Sequence, residues 1–335
     1  MGLLGKDLGI DLGSVNTLIC EGDEIVLHEP TVVAVDIEEM KIVEVGQAAR
    51  EMDGRVPETI EVMRPVRDGV IADFEITHRM LGHFLEKVCG PARLFKPRVM
   101  ITVPYGVTSV ESRAVHEAAL QAGSREVHLI QEPLAAAIGV GLPIATPSGN
   151  LIVDLGGGVT QAAVLAMSGI VAADAVRMGG TRLDEAILSY VRKKYGLVIG
   201  IRTAEEAKIR IGAAIPQEEN RVLEIQGQDQ VTGLPRPITL TTDEIVEAIQ
   251  ETLQLQIGAA RSVLERTPPE LASDIIDRGM VICGGGAALR GIDKWLTHET
   301  GVPAYTAEDP VACTARGAAR GLGLLERLRR TLPQV

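Results

Sequence analysis

The chain has 335 residues, 46% of them hydrophobic and 23% charged, with a formal net charge of -12. That length leaves room for roughly two domains with sizeable cores, and the acidic balance argues against nucleic acid as a partner, because phosphate backbones are gripped by clustered Lys and Arg. Aromatic residues make up only 2%, so Ala, Val, Ile and Leu must fill the core; the four cysteines (Cys20, Cys89, Cys283, Cys313) are widely spaced, with no CxxC pair or Cys/His cluster, which excludes a disulfide framework or zinc site as the organising feature.

Met1–Lys6 is too short, and too soon followed by Asp7, for a signal peptide. Strands are expected at Leu8–Leu12, Thr17–Glu21, Ile25–Leu27 and Thr31–Val35. Residues 36–75 are mixed and charged. Lys41–Val45 reads as a short strand there, and Val56-Pro57, Arg64-Pro65 and Asp68-Gly69 as turns, together a small appended subdomain. A helix capped by Thr77 is expected over Ile76–Val88. Pro97–Pro104 is a strand, Ser109–Ala122 a helix, Val127–Ile130 a strand and Leu134–Val140 a small-residue helix opened by Glu132-Pro133. This β–α alternation implies sheets with helices on their faces.

The second half repeats the order. Strands fall at 150–154, 162–166 and 170–175, then helices at Asp184–Tyr195 and Thr203–Gly212, the latter capped by Thr203 with Glu206 at capping-box spacing. Val222–Gln226 and Ile238–Leu240 flank a turn-rich loop, a second small unit. One long helix capped by Thr242 is expected over Thr242–Leu264, and a helical tail over Val311–Leu332. The uncharged stretches 133–153 and 155–173 carry prolines or a triglycine turn and read as buried core, not membrane spans.

The chemistry is concentrated in Asp154-Leu155-Gly156-Gly157-Gly158-Val159-Thr160-Gln161, an aspartate at a strand end followed by three glycines and a second strand. Glycine N–H groups approach an anion closely and form a nest, and a carboxylate suits Mg²⁺, directly or through water. Alone, the stretch reads equally well as a tight hairpin with a capping aspartate. Its recurrence favours the phosphate reading. Asp11-Leu12-Gly13-Ser14-Val15-Asn16-Thr17 has the same form, and Gly284-Gly285-Gly286-Ala287 ends another apolar strand. Two such hairpins imply duplicated halves that share one nucleotide.

Together these three stretches resemble the two phosphate motifs and the adenosine motif of the actin, sugar-kinase and heat-shock-chaperone superfamily. Within it the chain resembles the bacterial MreB family over essentially its whole length, on Glu132–Gly139, Gly141-Leu142-Pro143, Leu183–Ile187, Tyr195–Gly200 and Gly286–Gly291. It departs at Ser14-Val15, where Thr-Ala is usual. Val159 and Gln161 stand where a hydroxyl and an acid are usual, and Thr181-Arg182 replaces an acidic pair.

The resemblance implies an α/β actin-like ATPase fold, with two related domains of mixed sheets and flanking helices around a nucleotide cleft. The domains would be 1–140 plus 312–335, with a small subdomain at about 32–75, and 141–311, with one at about 182–241. It implies ATP or ADP with Mg²⁺ as cofactors. Gly13, Ser14, Val15, Asn16 and Thr17, with Gly156, Gly157, Gly158, Val159 and Thr160, would meet the phosphates, and Asp11 and Asp154 would hold Mg²⁺ through water. Glu132 would orient the attacking water, assisted by Thr160, with Gln161 able to hydrogen-bond it. Glu205 and Lys208, i and i+3 on one helical face, would contact ribose and adenine; Gly180 and Gly284, Gly285, Gly286 and Ala287 would complete the site.

The implied function is an ATP-dependent, filament-forming cytoskeletal protein, cytoplasmic and peripheral on the inner membrane face. It would self-associate, as double protofilaments, and guide the cell-wall elongation machinery and rod shape, with slow assembly-coupled hydrolysis. The alternatives are a small-molecule kinase or other monomeric ATPase on the same fold and, least expected, a chaperone ATPase, which needs a peptide-binding domain beyond residue 335. Arg93-Leu94-Phe95-Lys96-Pro97-Arg98 sets two large apolar residues among cations. Leu94 and Phe95 either belong to the core or insert into an anionic membrane, where each apolar side chain yields about 1.5–3 kcal/mol and each cation about 1 kcal/mol. That is marginal for a monomer and much stronger for a filament that repeats it.

Overall fold

The computed structural model describes residues 5–90 and 96–333. The first sheet holds β1 (Asp7–Leu12), β2 (Asn16–Glu21), β3 (Glu24–Pro30), β4 (Arg98–Val103) and β5 (Glu126–Gln131) in the order β3-β2-β1-β4-β5. β1 to β3 form an antiparallel meander, while β4 and β5 run parallel to β1. The second sheet holds β6 (Asn150–Leu155), β7 (Thr160–Ala166), β8 (Gly169–Val176), β9 (Met280–Cys283) and β10 (Ala304–Thr306). Its order, β8-β7-β6-β9-β10, and its strand senses repeat those of the first. The duplication expected from two short hairpins therefore extends to whole sheets.

Both faces of the second sheet are covered, which explains why its strands read as continuous apolar runs. Side chains alternate across a strand. Leu151, Val153, Ala162 and Val164 join an apolar cluster with Ala260 and Val263 of helix Gly258–Arg266, which lies on β7 and β8, while Ile152, Ala163 and Leu165 pack with Leu134, Ala137 and Leu322 on the other side. The latter layer, between the halves, is built on helices Glu132–Val140 and Cys313–Leu322. Their backbones meet closely: a Cβ at Gly139 would overlap the Cys313 carbonyl, and one at Gly317 the Ala135 carbonyl.

Each half carries a small insertion. In the first, strands Lys41–Val45, Val33–Asp36 and Ile60–Met63 pack against helix Gln47–Met52 through Ala34 and Ala49. In the second, Leu197–Val198, Val222–Asp229 and Pro235–Thr241 form a sheet beside helix Ile201–Ile211.

Several sequence expectations need correction. Helix Gln47–Met52 was not anticipated. Helix Phe74–Cys89 is capped by Asp73, whose carboxylate accepts the Ile76 N–H; Thr77 lies inside the helix and donates to the Asp73 carbonyl. The helix at 201–211 starts at Gly200 without a side-chain cap, so Thr203 is already in its first turn. Thr241, not Thr242, caps the next helix, because the capping box needs its acid three residues on and that acid is Glu244. That helix ends at Gln256, a second runs from Gly258 to Arg266, and the C-terminal helix breaks at Gly323. No helix among the described residues is long and apolar enough to cross a membrane.

Candidate functional site

The β1–β2 and β6–β7 hairpins are superposable in register. Asp11 faces Leu18 and Leu12 faces Thr17; Asp154 faces Gln161 and Leu155 faces Thr160. Each turn closes with one hydrogen bond, Gly13 N–H to the Asn16 carbonyl at 3.1 Å and Gly156 N–H to the Val159 carbonyl at 2.9 Å. In both, a Cβ on the glycine would lie 2.7 Å from that carbonyl. The two turns meet head to head, with Val15 against Gly157 and Ser14 against Gly158. They border a cavity of about 400 Å³ between the halves.

Among the carboxylates that line this cavity, Asp11, Asp154 and Glu132 lie close enough for their charges to act on one another. Thr102 Oγ1 donates to Asp11 at 3.1 Å. Burial pushes the Asp11 carboxyl up to about 6 against that bond. Burial, then the Asp11 charge, pushes Asp154 up to about 7. Glu132 is held well above the carboxylate range by burial and by both aspartates. Burial and like charge together hold all three acids back from ionising. Gln161 accepts the Tyr105 N–H at 2.6 Å through Oε1, which fixes its amide and leaves Nε2 to donate to Glu132.

The helix Gly180–Tyr195 is tied to the second turn. Gly180 N–H donates to the Gly156 carbonyl at 3.0 Å and Thr181 N–H to the Gly157 carbonyl at 2.9 Å. Gly284 follows β9 with φ at 81°, and a Cβ there would sit 2.5 Å from the Leu155 carbonyl, so glycine is required on two grounds. Among the described residues nothing lies within 4 Å of a Cβ at Gly285, which opens on the cavity. Lys208 pairs with buried Asp184 at 2.7 Å and donates to the Gly180 carbonyl at 2.9 Å. Glu205 pairs with Arg50 from the opposite wall at 2.6 Å.

Most residues singled out in the sequence thus converge. Asp11, Gly13, Ser14, Val15, Asn16, Glu132, Asp154, Gly156, Gly157, Gly158, Val159, Gly180, Glu205, Lys208, Gly284, Gly285 and Gly286 all line one cavity. Thr17, Thr160, Gln161 and Ala287 are buried behind it. Leu94 and Phe95 lie outside the described residues. Sequence reasoning missed Arg50, Arg64, Asp184 and Arg290, which also line the cavity. Arg64 donates to the Ser14 and Val15 carbonyls at 3.2 and 3.3 Å. Arg290 holds the Ile211 and Gly212 carbonyls at 2.7 and 3.0 Å. Asp184 stood in the quoted Leu183–Ile187 stretch and Arg290 in Gly286–Gly291, but nothing local marks Arg50 and Arg64, whose partners are distant in the chain.

The family model described as MreB/Mbl protein matches residues 5–330. The cell shape-determining protein MreB of Escherichia coli (strain K12) is 48% identical over 331 residues, 97% of this chain and 95% of that one. The crystal structure of MreB5 of Spiroplasma citri bound to ADP aligns with a TM-score of 0.90 at 32% identity, covering 96% and 97% of the two chains. A MamK double helical filament shares the fold, with a TM-score of 0.79 at 20% identity over 94% and 98%. The paired hairpins, the repeated sheet topology and these matches over nearly the whole length agree: the chain belongs to the MreB/Mbl family.

Proposed function

We propose that this chain binds ATP and ADP in the cleft and polymerises into filaments that act in cell shape. One observation carries the reading: two matched aspartate–glycine hairpins, one from each half, meet across a single cavity lined by Asp11, Asp154 and Glu132. Support comes from the shape-determining relative, the ADP-bound MreB5 structure and the MamK filament.

The N–H groups of Gly13–Thr17 and Gly156–Thr160 are suited to the phosphates. Glu205 and Lys208 would face the sugar and base, with Gly180 and Gly284–Ala287 alongside. Asp11 and Asp154 fit Mg²⁺ through water. Both are hard oxygen donors whose burial penalty a divalent cation relieves, and no three His, Cys, Asp or Glu residues among the described ones lie close enough to grip a bare ion. When bound, Mg²⁺ would offset phosphate charge. Glu132 would accept a hydrogen bond from the attacking water, with Thr160 behind it and Gln161 holding the carboxylate. ATP would favour assembly, and slow hydrolysis would weaken it.

The filament would lie on the cytoplasmic face of the inner membrane, with Leu94 and Phe95 inserting among anionic lipids, and would organise the wall-elongation machinery. The test is sedimentation with Mg-ATP, with and without anionic liposomes, for the natural chain and a Leu94→Ser/Phe95→Ser double variant. ATP-dependent pelleting enhanced by lipid, with only the lipid enhancement lost in the variant, is the expected result. A chain that stays monomeric under every condition would sink the filament reading and favour a monomeric ATPase.

A further inference from the structure

The cleft walls touch at more than one level. At the bottom the hairpin turns meet, Val15 on Gly157 and Ser14 on Gly158, with Arg182 of one half beside Asp68 of the other at 3.7 Å. At the mouth a second junction joins the small insertions. Arg50 Nη2 pairs with Glu205 Oε2 at 2.6 Å, and Arg202 Nη1 donates to the Arg50 backbone carbonyl at 3.2 Å. The cavity of about 400 Å³ lies on the inner side of this pair. An outer recess of about 600 Å³, lined by Asp53, Arg55, Thr203 and Glu206, lies on its other side.

Both ends of the junction are rigidly mounted. Arg50 sits on helix Gln47–Met52, which buries Ala49 under the first small sheet. The start of that helix is pinned by Gln47 N–H to Glu29 at 2.8 Å, itself paired with Lys87 at 2.7 Å. Glu205 sits on helix Ile201–Ile211, which buries Ala204, Ala207 and Ile211 and is tethered by Lys208 to Asp184. The side chains are 29% and 16% exposed, so the pair is stronger than a fully exposed one but still open in part to screening by salt.

We infer that Arg50 is a positioning residue of the nucleotide site: it orients Glu205 and latches the mouth, so that its release sets the rate at which nucleotide leaves. The inference rests on the nucleotide reading above and adds its regulation. A carboxylate has two oxygens, so Glu205 can hold Arg50 on one and face the ligand with the other. Ligand and latch then share one group. By linkage, whatever factor the closed latch adds to nucleotide affinity, bound nucleotide adds to latch closure. An enclosed ligand escapes only when the walls part, a step that commonly limits turnover.

The test loads the full-length chain with a fluorescent ATP analogue at a concentration below assembly and chases it with excess ATP. Arg50→Ala should release the analogue about tenfold faster, the low end for a partly exposed charge-assisted hydrogen bond, with its melting temperature unchanged. Arg50→Lys, which keeps the charge but not the fork, should fall between. Raising salt should speed release from the natural chain and leave Arg50→Ala unmoved. Equal rates in the natural chain and Arg50→Ala overturn the latch while leaving nucleotide binding intact. A natural chain that retains no analogue overturns the nucleotide reading and the latch with it.

Discussion

The two hairpin turns are copies in backbone and opposites in surface. Gly13 and Gly156 close the same turn with the same hydrogen bond and the same steric need. Beyond them the first turn carries Ser14 and Val15, whereas the second carries Gly157 and Gly158. The difference has a physical cause. Each side chain of the first turn occupies the space that a Cβ of the second would need. The duplicated element has diverged into knobs on one half and holes on the other, so that the halves nest over one cavity instead of repelling each other with two identical surfaces.

The largest expected effect comes from filling a hole. In Gly157→Val the new side chain overlaps Val15 and forces the turns apart, because overpacked contacts relax by moving backbone. ATP affinity should fall about 100-fold or more, which is about 3 kcal/mol, as read by titration with a fluorescent analogue. Adding Val15→Gly should restore much of it. Unaltered affinity in Gly157→Val would show that the turns do not touch in solution. The next effect tests whether the two copies remain equivalent in chemistry. Asp11→Asn and Asp154→Asn should each raise the Mg²⁺ concentration needed for nucleotide binding by about 10- to 100-fold, the range for groups that act on a metal through an intervening shell. An effect from only one would mean that the symmetry of the backbone has been lost in the ion site.

These expectations were legible because the glycine requirement is local. A strand, an aspartate and a tight turn can be read from consecutive residues, and their recurrence exposed the duplicated sheets. What was not legible depends on distant pairing. Arg50 reaches Glu205 across 155 positions, and Arg64 buttresses the first turn from 50 positions away; neither has a sequence signature. The misplaced caps have a different cause. Adjacent threonines at 241 and 242 are chemically equivalent, and only the spacing to Glu244 selects the first. Gln161 is a third kind. Its residue type permits a water contact, but its position behind the cavity, bonded to Glu132 and Tyr105, makes it a support for the acid.

The shared burial of the carboxylates gives the comparison a pH signature. Unfolded, the Asp154 carboxyl titrates near 3.8; folded, near 7. A proton held more tightly in the fold stabilises it at low pH, and that contribution fades as pH rises through 7. Asp11 and Asp184, each pushed up to about 6, act in the same direction. Glu29, Glu111 and Glu244 are held below their ordinary 4.5 and oppose this only under more acidic conditions. Without nucleotide, the chain should therefore gain stability on going from pH 8 to pH 5, about 3 kcal/mol from Asp154 alone, followed by urea unfolding. Asp154→Asn should flatten the curve. A flat curve for the natural chain would mean that water enters the cleft and the acids ionise freely.

The smallest effect separates the two copies most sharply. Thr17 and Thr160 occupy equivalent positions at the start of β2 and β7, both buried. The Thr17 hydroxyl bonds to that of Thr31 at 2.9 Å, and Thr31 in turn donates to the Gly13 carbonyl at 2.7 Å, so the first turn is stapled to the chain behind it. The Thr160 hydroxyl has no hydrogen-bond partner among the described residues. Thr17→Val should cost about 1 kcal/mol of stability, the usual worth of a buried hydrogen bond, and leave hydrolysis nearly intact. Thr160→Val should cost no stability, since it removes a buried hydroxyl that the ligand-free fold does not use, and should slow phosphate release in single-turnover assays. If both variants lose stability alike and hydrolyse alike, the second copy is merely a weaker staple. If they split as expected, one threonine of the ancestral pair holds the turn and the other has been freed to serve what the turn binds.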